Sequence, residues 1–320
     1  MRSNDSDGGD GRRRGATPEV FDRALLKRRR ERALLKVAGG AKMPDFLLTW
    51  VAADMVDRLY VIRREFPKVL NLGAHTGVLG RAIRALDGVE LVIDADPALG
   101  MLGHCAGPSV MADEEALPFA EGTLDLIVSG LSLQFVNDLP GALVQIRRAL
   151  KPDGLFLGTM LGGATLRELR AVLMEAELEI AGGVSPRVAP FADVRDLGGL
   201  LQRADFALAV ADTDTLTVTY PSMLELMIEL RQMGAGNVLV NRRRVPMARQ
   251  LLMRAAELYA DRFSGPDGRI SATFEVLTMT GWAPDPGQQK PLQPGSARTR
   301  LASALGTVEV GAGDKASGKI

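Results

Sequence analysis

Cysteine is almost missing from this chain. Cys105 is the single one in 320 residues, which excludes a disulfide framework and a thiolate metal cluster. An excess of either charge is missing too. Basic and acidic residues number 39 each, so no overall field draws the chain to nucleic acid. No apolar run reaches the roughly 18 residues needed for a helix to span a bilayer, so no transmembrane segment is expected, and peripheral membrane contact stays open. The arginine-rich start carries Asp5, Asp7 and Asp10, whereas a mitochondrial transit peptide is poor in acids. A cytoplasmic location is the expectation. The length suffices for a sizeable core, as one large α/β domain or a domain with a cap.

What is present is a cofactor-type layout. The apolar stretch Val69–Leu72 runs into the turn Gly73-Ala74-His75-Thr76-Gly77, and Leu79, Ile83 and Leu86 follow at helical spacing. A second strand, Leu91–Ile93, leads to Asp94. Glycines permit positive φ and close backbone approach, and a carboxylate there is placed to accept from two ribose hydroxyls. The glycine spacing is not that of a dinucleotide fingerprint.

The alternation continues. Short strands are expected at Ser109–Met111, Leu124–Ser129 and Leu155–Met160, with a helix between the last two that starts near Asn137 and has Leu139, Leu143, Ile146 and Leu150 on its buried face. The expected organisation is a disordered tail over 1–17, N-terminal helices over 18–67, a Rossmann-like core over 68–162, cap segments and final strands over 163–283, and a flexible tail over 284–320. Within the third quarter, a strand from about Phe206 to Ala211 and an alternating run from Leu216 to Tyr220 precede a methionine-rich helix. Ile270–Trp282 reads as a long strand, antiparallel at the sheet edge.

VLNLGAHTG resembles the first motif of S-adenosylmethionine-dependent methyltransferases, with Asn71 where that family has an acid and His75 where it has a glycine. The segment ADEEALPFAEGTLDLIVSGLSLQFVNDLPGALVQIRRALKPDGLFLGTM resembles class I methyltransferases of biotin and ubiquinone synthesis. GGVSPRVAPFADVRDLGGLLQRADF, DTDTLTVTYPSMLELMIELRQMG and a final PGSA are similar to the methyltransferase-like assembly factors of respiratory complex I and their bacterial relatives. The resemblance implies a Rossmann-like class I fold with a mostly parallel seven-stranded sheet, an antiparallel edge strand and a helical cap. It implies S-adenosyl-L-methionine as cofactor, held by Asn71, Gly73, His75, Gly77, Asp94, Asp113, Glu114 and Ser129. It also implies a protein substrate, a complex I subunit.

Reaction type stays open between methyl transfer, arginine hydroxylation of a complex I subunit and a non-enzymatic assembly role. Methyl transfer asks mainly for placement of the nucleophile against the sulfonium methyl. Hydroxylation asks for activated oxygen, and a two-histidine iron site is poorly served by His75 and His104, the two histidines of the chain. No catalytic residue is assigned and no metal is expected. Arg187, in a Pro-flanked loop, reads as a substrate contact or as half of a loop salt bridge. Tyr220 reads as a substrate contact or as a half-buried edge residue. Arg242–Arg244 is a weaker substrate candidate or a solvated face.

Overall fold

A computed structural model describes residues 19–38, 43–289, 296 and 299–308. The expected tail over 1–17 lies outside the described residues, as does much of 284–320. Two compact units are distinguished, Met1–Pro284 and Asp285–Ile320. Within its described residues the second holds one short helix, Leu301–Ala304.

The first unit is a seven-stranded sheet between two helical layers. Its strands are β1 (Lys68–Leu72), β2 (Leu91–Asp96), β3 (Ser109–Met111), β4 (Leu124–Gly130), β5 (Leu150–Leu161), β6 (Ala207–Tyr220) and β7 (Ile270–Trp282). They lie in the order β3-β2-β1-β4-β5-β7-β6. The first five pair in parallel, while β7 runs antiparallel to both β5 and β6. The order reverses between β1 and β4, and that is where the carboxyl ends of the strands open a crevice for a ligand.

Helices α1 (Arg23–Ala38) and α2 (Phe46–Tyr60) precede the sheet, and α3 (Val78–Arg84) and α4 (Leu99–Leu102) follow β1 and β2. The remaining helices of this unit are α5 (Leu139–Ala149), α6 (Arg167–Ala181), α7 (Val194–Arg203), α8 (Met223–Gln232) and α9 (Arg249–Phe263). Strand alternation divides the core. Val69, Leu126 and Leu155 face a cluster built by α2, α3, α6, α8 and α9, whereas Leu70, Ile127 and Phe156 face one built by α5 and α7. In α2, Leu47, Val51, Met55 and Leu59 recur every four residues and are all buried, as an amphipathic helix on a sheet requires.

Three expectations need correction. Ile270–Trp282 is antiparallel but internal; the edge is β6. The two runs expected before Tyr220 form one strand, because β7 pairs along it from Ala207 to Tyr220 with a register shift between Ala207 and Val210. Asp138, not Asn137, caps α5 by accepting from Gly141 N at 2.9 Å, with Pro140 in the first turn. Asn137 instead binds the chain before α1: its Oδ1 accepts from Val20 N and Phe21 N, and its Nδ2 donates to Phe21 O.

Candidate active site

β1 ends at Leu72 and the chain turns on two glycines, Gly73 at φ +71° and Gly77 at φ +74°. A Cβ at Gly73 would stand 2.2 Å from Ser132 Cβ, so glycine is what lets the turn close against the segment after β4. The turn is pinned to β2, since Gly73 N and Ala74 N both donate to Ala95 O, at 2.8 and 2.9 Å. His75 adopts φ 48°, a left-handed conformation that is uncommon for a residue with a side chain. Its Nε2 lies 3.3 Å from Leu131 O. Burial, reinforced by the nearby Arg30 guanidinium, pushes the imidazole pKa down to about 3.

The structure separates two aspartates of β2 that the sequence places close together. Asp94, expected at the ribose, lies in the core beneath α3. Its Oδ1 accepts from Asn71 Nδ2 at 2.7 Å, its Oδ2 accepts from Arg84 at 2.5 Å, and a Cβ at Gly80 of α3 would meet Oδ1 at 2.3 Å. Both oxygens are taken by protein groups. The strand is one turn of pleat longer than expected, and Asp96 stands at its end, level with the glycine turn. Asp96 Oδ2 accepts from His75 N at 3.0 Å and Oδ1 from Ala98 N at 2.8 Å. Burial raises the Asp96 pKa, against the opposing charge of Arg30, whose guanidinium lies 3.5 Å away.

After β3 come Asp113 and Glu114, as expected for an adenine edge. Asp113 is half-exposed and Glu114 buried, and one arginine of α1, Arg23, bridges both. Ser132 Oγ also donates to Glu114. Burial alone would raise the Glu114 pKa, but Arg23, Arg30 and Ser132 together hold it below the usual carboxylate range. Helix α1 therefore covers this end of the sheet with two arginines, each set on a carboxylate. Arg30 sits within the buried stripe Leu26, Ala33 and Leu34, at helical spacing.

Beside the turn lies a cavity of about 80 Å³, with Leu26, Arg30, His75, Met101, Leu131 and Gln134 among its walls. Buried polar atoms at this end of the sheet with no hydrogen-bond partner among the described residues include Gln134 Oε1, Ser129 Oγ and the terminal nitrogens of Arg30, of which Nη1 has only its 3.5 Å ion pair with Asp96. A buried polar atom without a partner is costly. These orphans, the apolar walls and the carboxylates at 96, 113 and 114 fit a nucleoside joined to an amino acid in donor and acceptor chemistry. The volume is smaller than that of typical ligand sites, about 300–1,000 Å³, and Leu26 and Arg30 of α1 are among the residues that bound it.

The remaining candidates lie elsewhere in the structure. Arg187 is bound to buried Glu177, at 2.6 Å, which also accepts from Ser185 N and Oγ. Tyr220 is buried and donates from its hydroxyl to Glu229 Oε2 at 2.5 Å. Neither lines the cavity. Arg242 pairs with Asp22 and Arg243 with Glu177. Sequence reasoning missed Arg23, Arg30, Asp96 and Gln134. For Arg30 the signal was present, as an arginine four residues after Leu26 and four before Leu34. Cys105 lies beside Gly77, and burial pushes its thiol up to about 12, far from a nucleophile's range. Among the described residues no group of three His, Cys, Asp or Glu side chains is arranged to hold a metal, and no helix is long and apolar enough to cross a membrane.

Residues 70–158 match the family model described as a methyltransferase domain. The chain is 40% identical over 288 residues to the arginine-hydroxylase NDUFAF5, mitochondrial, of Danio rerio, covering 88% of each chain. It is 42% identical over 291 residues to the Homo sapiens protein of that name, covering 88% of this chain and 82% of the other. A malonyl-(acyl-carrier protein) O-methyltransferase of Gallionella capsiferriformans is 33% identical over 283 residues, covering 83% of this chain and 93% of its own. Among solved structures, the YcgJ protein of Bacillus subtilis superimposes with a TM-score of 0.51 at 16% identity, covering 73% of this chain and 98% of that one, a likeness of fold. The domain match and relatives that run along most of the chain place this protein in the family of the NDUFAF5 proteins, within the S-adenosylmethionine-dependent methyltransferase superfamily of enzymes, with S-adenosyl-L-methionine as cofactor.

Proposed function

We propose that this enzyme modifies a protein partner during assembly of respiratory complex I, by methyl transfer at the crevice between β1 and β4. The observation that carries the reading is Asp96: a buried carboxylate at the end of β2 that accepts from His75 N of the glycine turn and pairs with Arg30, both of which line the cavity. In this assignment Asp96 accepts from the ribose hydroxyls, and Asp113 and Glu114 hold the adenine edge. The turn at Gly73–Gly77 lets the backbone approach, and Gln134 and Ser129 satisfy polar atoms of the amino-acid end. S-adenosylmethionine, when bound, supplies an electrophilic methyl on a sulfonium.

The chain's own task is placement and dryness. Leu26, Met101, Leu131, Phe135 and Phe274 wall the cavity and keep water from competing with the acceptor. His75 also lines it, but an imidazole held down to about 3 is too weak a base to take the acceptor's proton near neutrality. Methyl transfer tolerates that, because orientation supplies most of its acceleration.

A second reading, arginine hydroxylation of a complex I subunit, is supported by the name that four vertebrate relatives bear at 40–42% identity. One experiment separates the two. The purified enzyme is incubated aerobically with a reductant, S-adenosylmethionine and complex I subunits, and the subunits are examined by mass spectrometry. A gain of one methylene supports methyl transfer. A gain of one oxygen on an arginine overturns it in favour of hydroxylation.

A further inference from the structure

The outer side of the cavity walls carries a concentration of arginines that the proposed chemistry does not use. On α1, Arg28 and Arg32 are exposed, four residues apart and turned away from the buried stripe of Leu26, Arg30 and Leu34. Arg231 is exposed in the last turn of α8. Arg242–Arg244 follow a short loop that is stitched to the start of α1. Val240 N donates to Val20 O, Asp22 N donates to Val238 O, and Arg29 donates to Asn237 O at 2.6 Å. Glycine makes room for this contact: a Cβ at Gly236 would stand 2.6 Å from the Arg29 guanidinium.

Matching carboxylates are few. Arg242 has Asp22 and Arg243 has Glu177. Arg28, Arg29, Arg32, Arg231 and Arg244 form no ion pair with a described residue. The Arg29 pKa is lowered, by burial first and then by the like charges of Arg242, Arg32 and Arg231, which outweigh the opposing Asp22 carboxylate, so these groups lie within range of one another. In a chain with 39 charges of each sign, such a cluster is a local departure from neutrality. Like charges held together destabilise the fold and raise the local concentration of an opposite charge.

The position of the cluster gives it a use. Leu26 and Arg30 of α1, and Leu230, Met233 and Gly234 at the end of α8, line the cavity; Arg28, Arg32 and Arg231 sit on the same two helices and are exposed, with half-buried Arg29 between them and Arg244 on the loop stitched to α1. A partner seated on them lies at the rim of the site. No aromatic residue occurs between Asp22 and Ala38 or between Arg231 and Arg249, so the surface lacks the stacking platforms that bind single-stranded nucleic acid. The malonyl-(acyl-carrier protein) relative, by its name, acts on a group borne by a protein.

We propose that Arg28, Arg29, Arg32, Arg231 and Arg244 form the docking face for an acidic polypeptide, which presents its reactive side chain to the cavity. The purpose of this face rests on the reading above, that the substrate is a protein; its binding is measurable without catalysis. The probe is a fluorescent polyglutamate peptide followed by polarisation. It is titrated with the full-chain protein and with the triple variant Arg28→Glu, Arg32→Glu, Arg231→Glu. Oligo-dT of equal charge and phosphatidylglycerol vesicles serve as competing probes, and both proteins are also titrated with S-adenosylhomocysteine.

The wild-type protein is expected to bind the peptide with an affinity that falls as salt rises. The triple variant is expected to bind it about tenfold or more weakly, with unchanged affinity for S-adenosylhomocysteine. Should the charge reversals unfold the protein, the corresponding glutamine substitutions are read in the same way. Three results overturn the proposal: no peptide binding by the wild type, equal binding by the variant, or tighter binding of oligo-dT or vesicles than of peptide. If the wild type fails to bind S-adenosylhomocysteine, the cofactor assignment falls, while the peptide comparison still decides the surface.

Discussion

Asn71 and Asp94 stand side by side on neighbouring parallel strands, Nδ2 donating to Oδ1 at 2.7 Å, in the interior beneath α3. Arg84 closes the pair from the other side at 2.5 Å. Asn71 occupies the position at which methyltransferases carry an acid, and an acid there would face the Asp94 carboxylate directly. Asparagine supplies a donor in its place. The substitution answers a packing problem within the core.

The first prediction follows from that triad. Asp94→Asn leaves Arg84 without its counter-charge; its amide oxygen can still accept from Asn71 Nδ2, so its NH2 then faces the Arg84 guanidinium, donor against donor. Breaking such a pair costs about 3 kcal/mol, reduced by the partial exposure of Arg84. Denaturant titration should show a lower midpoint with little change in slope, and a midpoint equal to that of the wild type would remove Asp94 from the core network.

His75 lends itself to a second test. Its backbone is left-handed at φ 48°, a conformation that costs a non-glycine residue on the order of 1 kcal/mol, and its ring narrows the cavity. His75→Gly relieves the backbone and widens the space, so S-adenosylhomocysteine should bind more tightly. Weaker binding would show that the ring itself touches the ligand.

Stability should fall in acid through two windows that overlap between about 4.5 and 3. The His75 pKa drops from an ordinary 6.5 to about 3 on folding, so between those values the unfolded chain takes up a proton that the folded chain refuses. Stability from this group is complete above 6.5 and is lost as pH falls through that window. The Glu177 pKa drops from 4.5 to about 2: burial opposes the shift, and Arg187 and Ser185 outweigh it. Its contribution is complete above 4.5 and is lost towards 2. Unfolding free energies measured at a series of pH values should flatten between 6.5 and 4.5 in His75→Gly, and below 4.5 in Glu177→Gln. Identical pH slopes in wild type and variants would contradict both assignments.

Tyr220→Phe removes a hydroxyl that is hydrogen-bonded to Glu229. A hydrogen bond to a charged group is worth about 1.5–3 kcal/mol, so the melting temperature should drop while affinity for S-adenosylhomocysteine stays the same. Loss of affinity without loss of stability would return Tyr220 to the ligand site.

Much of the architecture can be read from the chain because its signals are local. The long apolar run of Ile270–Trp282 and the glycine pair around His75 depend on neighbours in sequence, and the structure shows the strand and the turn where they are expected. The site is harder to read. Asp94 and Asp96 point to the same side of β2 and differ by one pleat, so only the pinning of the turn to Ala95 decides which stands level with the glycine turn. Arg23 and Arg30 belong to a helix whose sequence looks solvated. Their meaning comes from Glu114 and Asp96, carried by distant strands. The position of β7 inside the sheet likewise depends on a crossover that no local pattern records.

Asp96 is the proposed ribose carboxylate, and the rest of the site assignment depends on it. Calorimetric titration of S-adenosylhomocysteine into wild-type protein, Asp96→Asn and Asp94→Asn tests it most directly, with circular dichroism to confirm that each is folded. Binding by the wild type, a loss of about tenfold or more in Asp96→Asn and retained affinity in folded Asp94→Asn are the predicted result. Full affinity in Asp96→Asn, or a loss confined to Asp94→Asn, would contradict it.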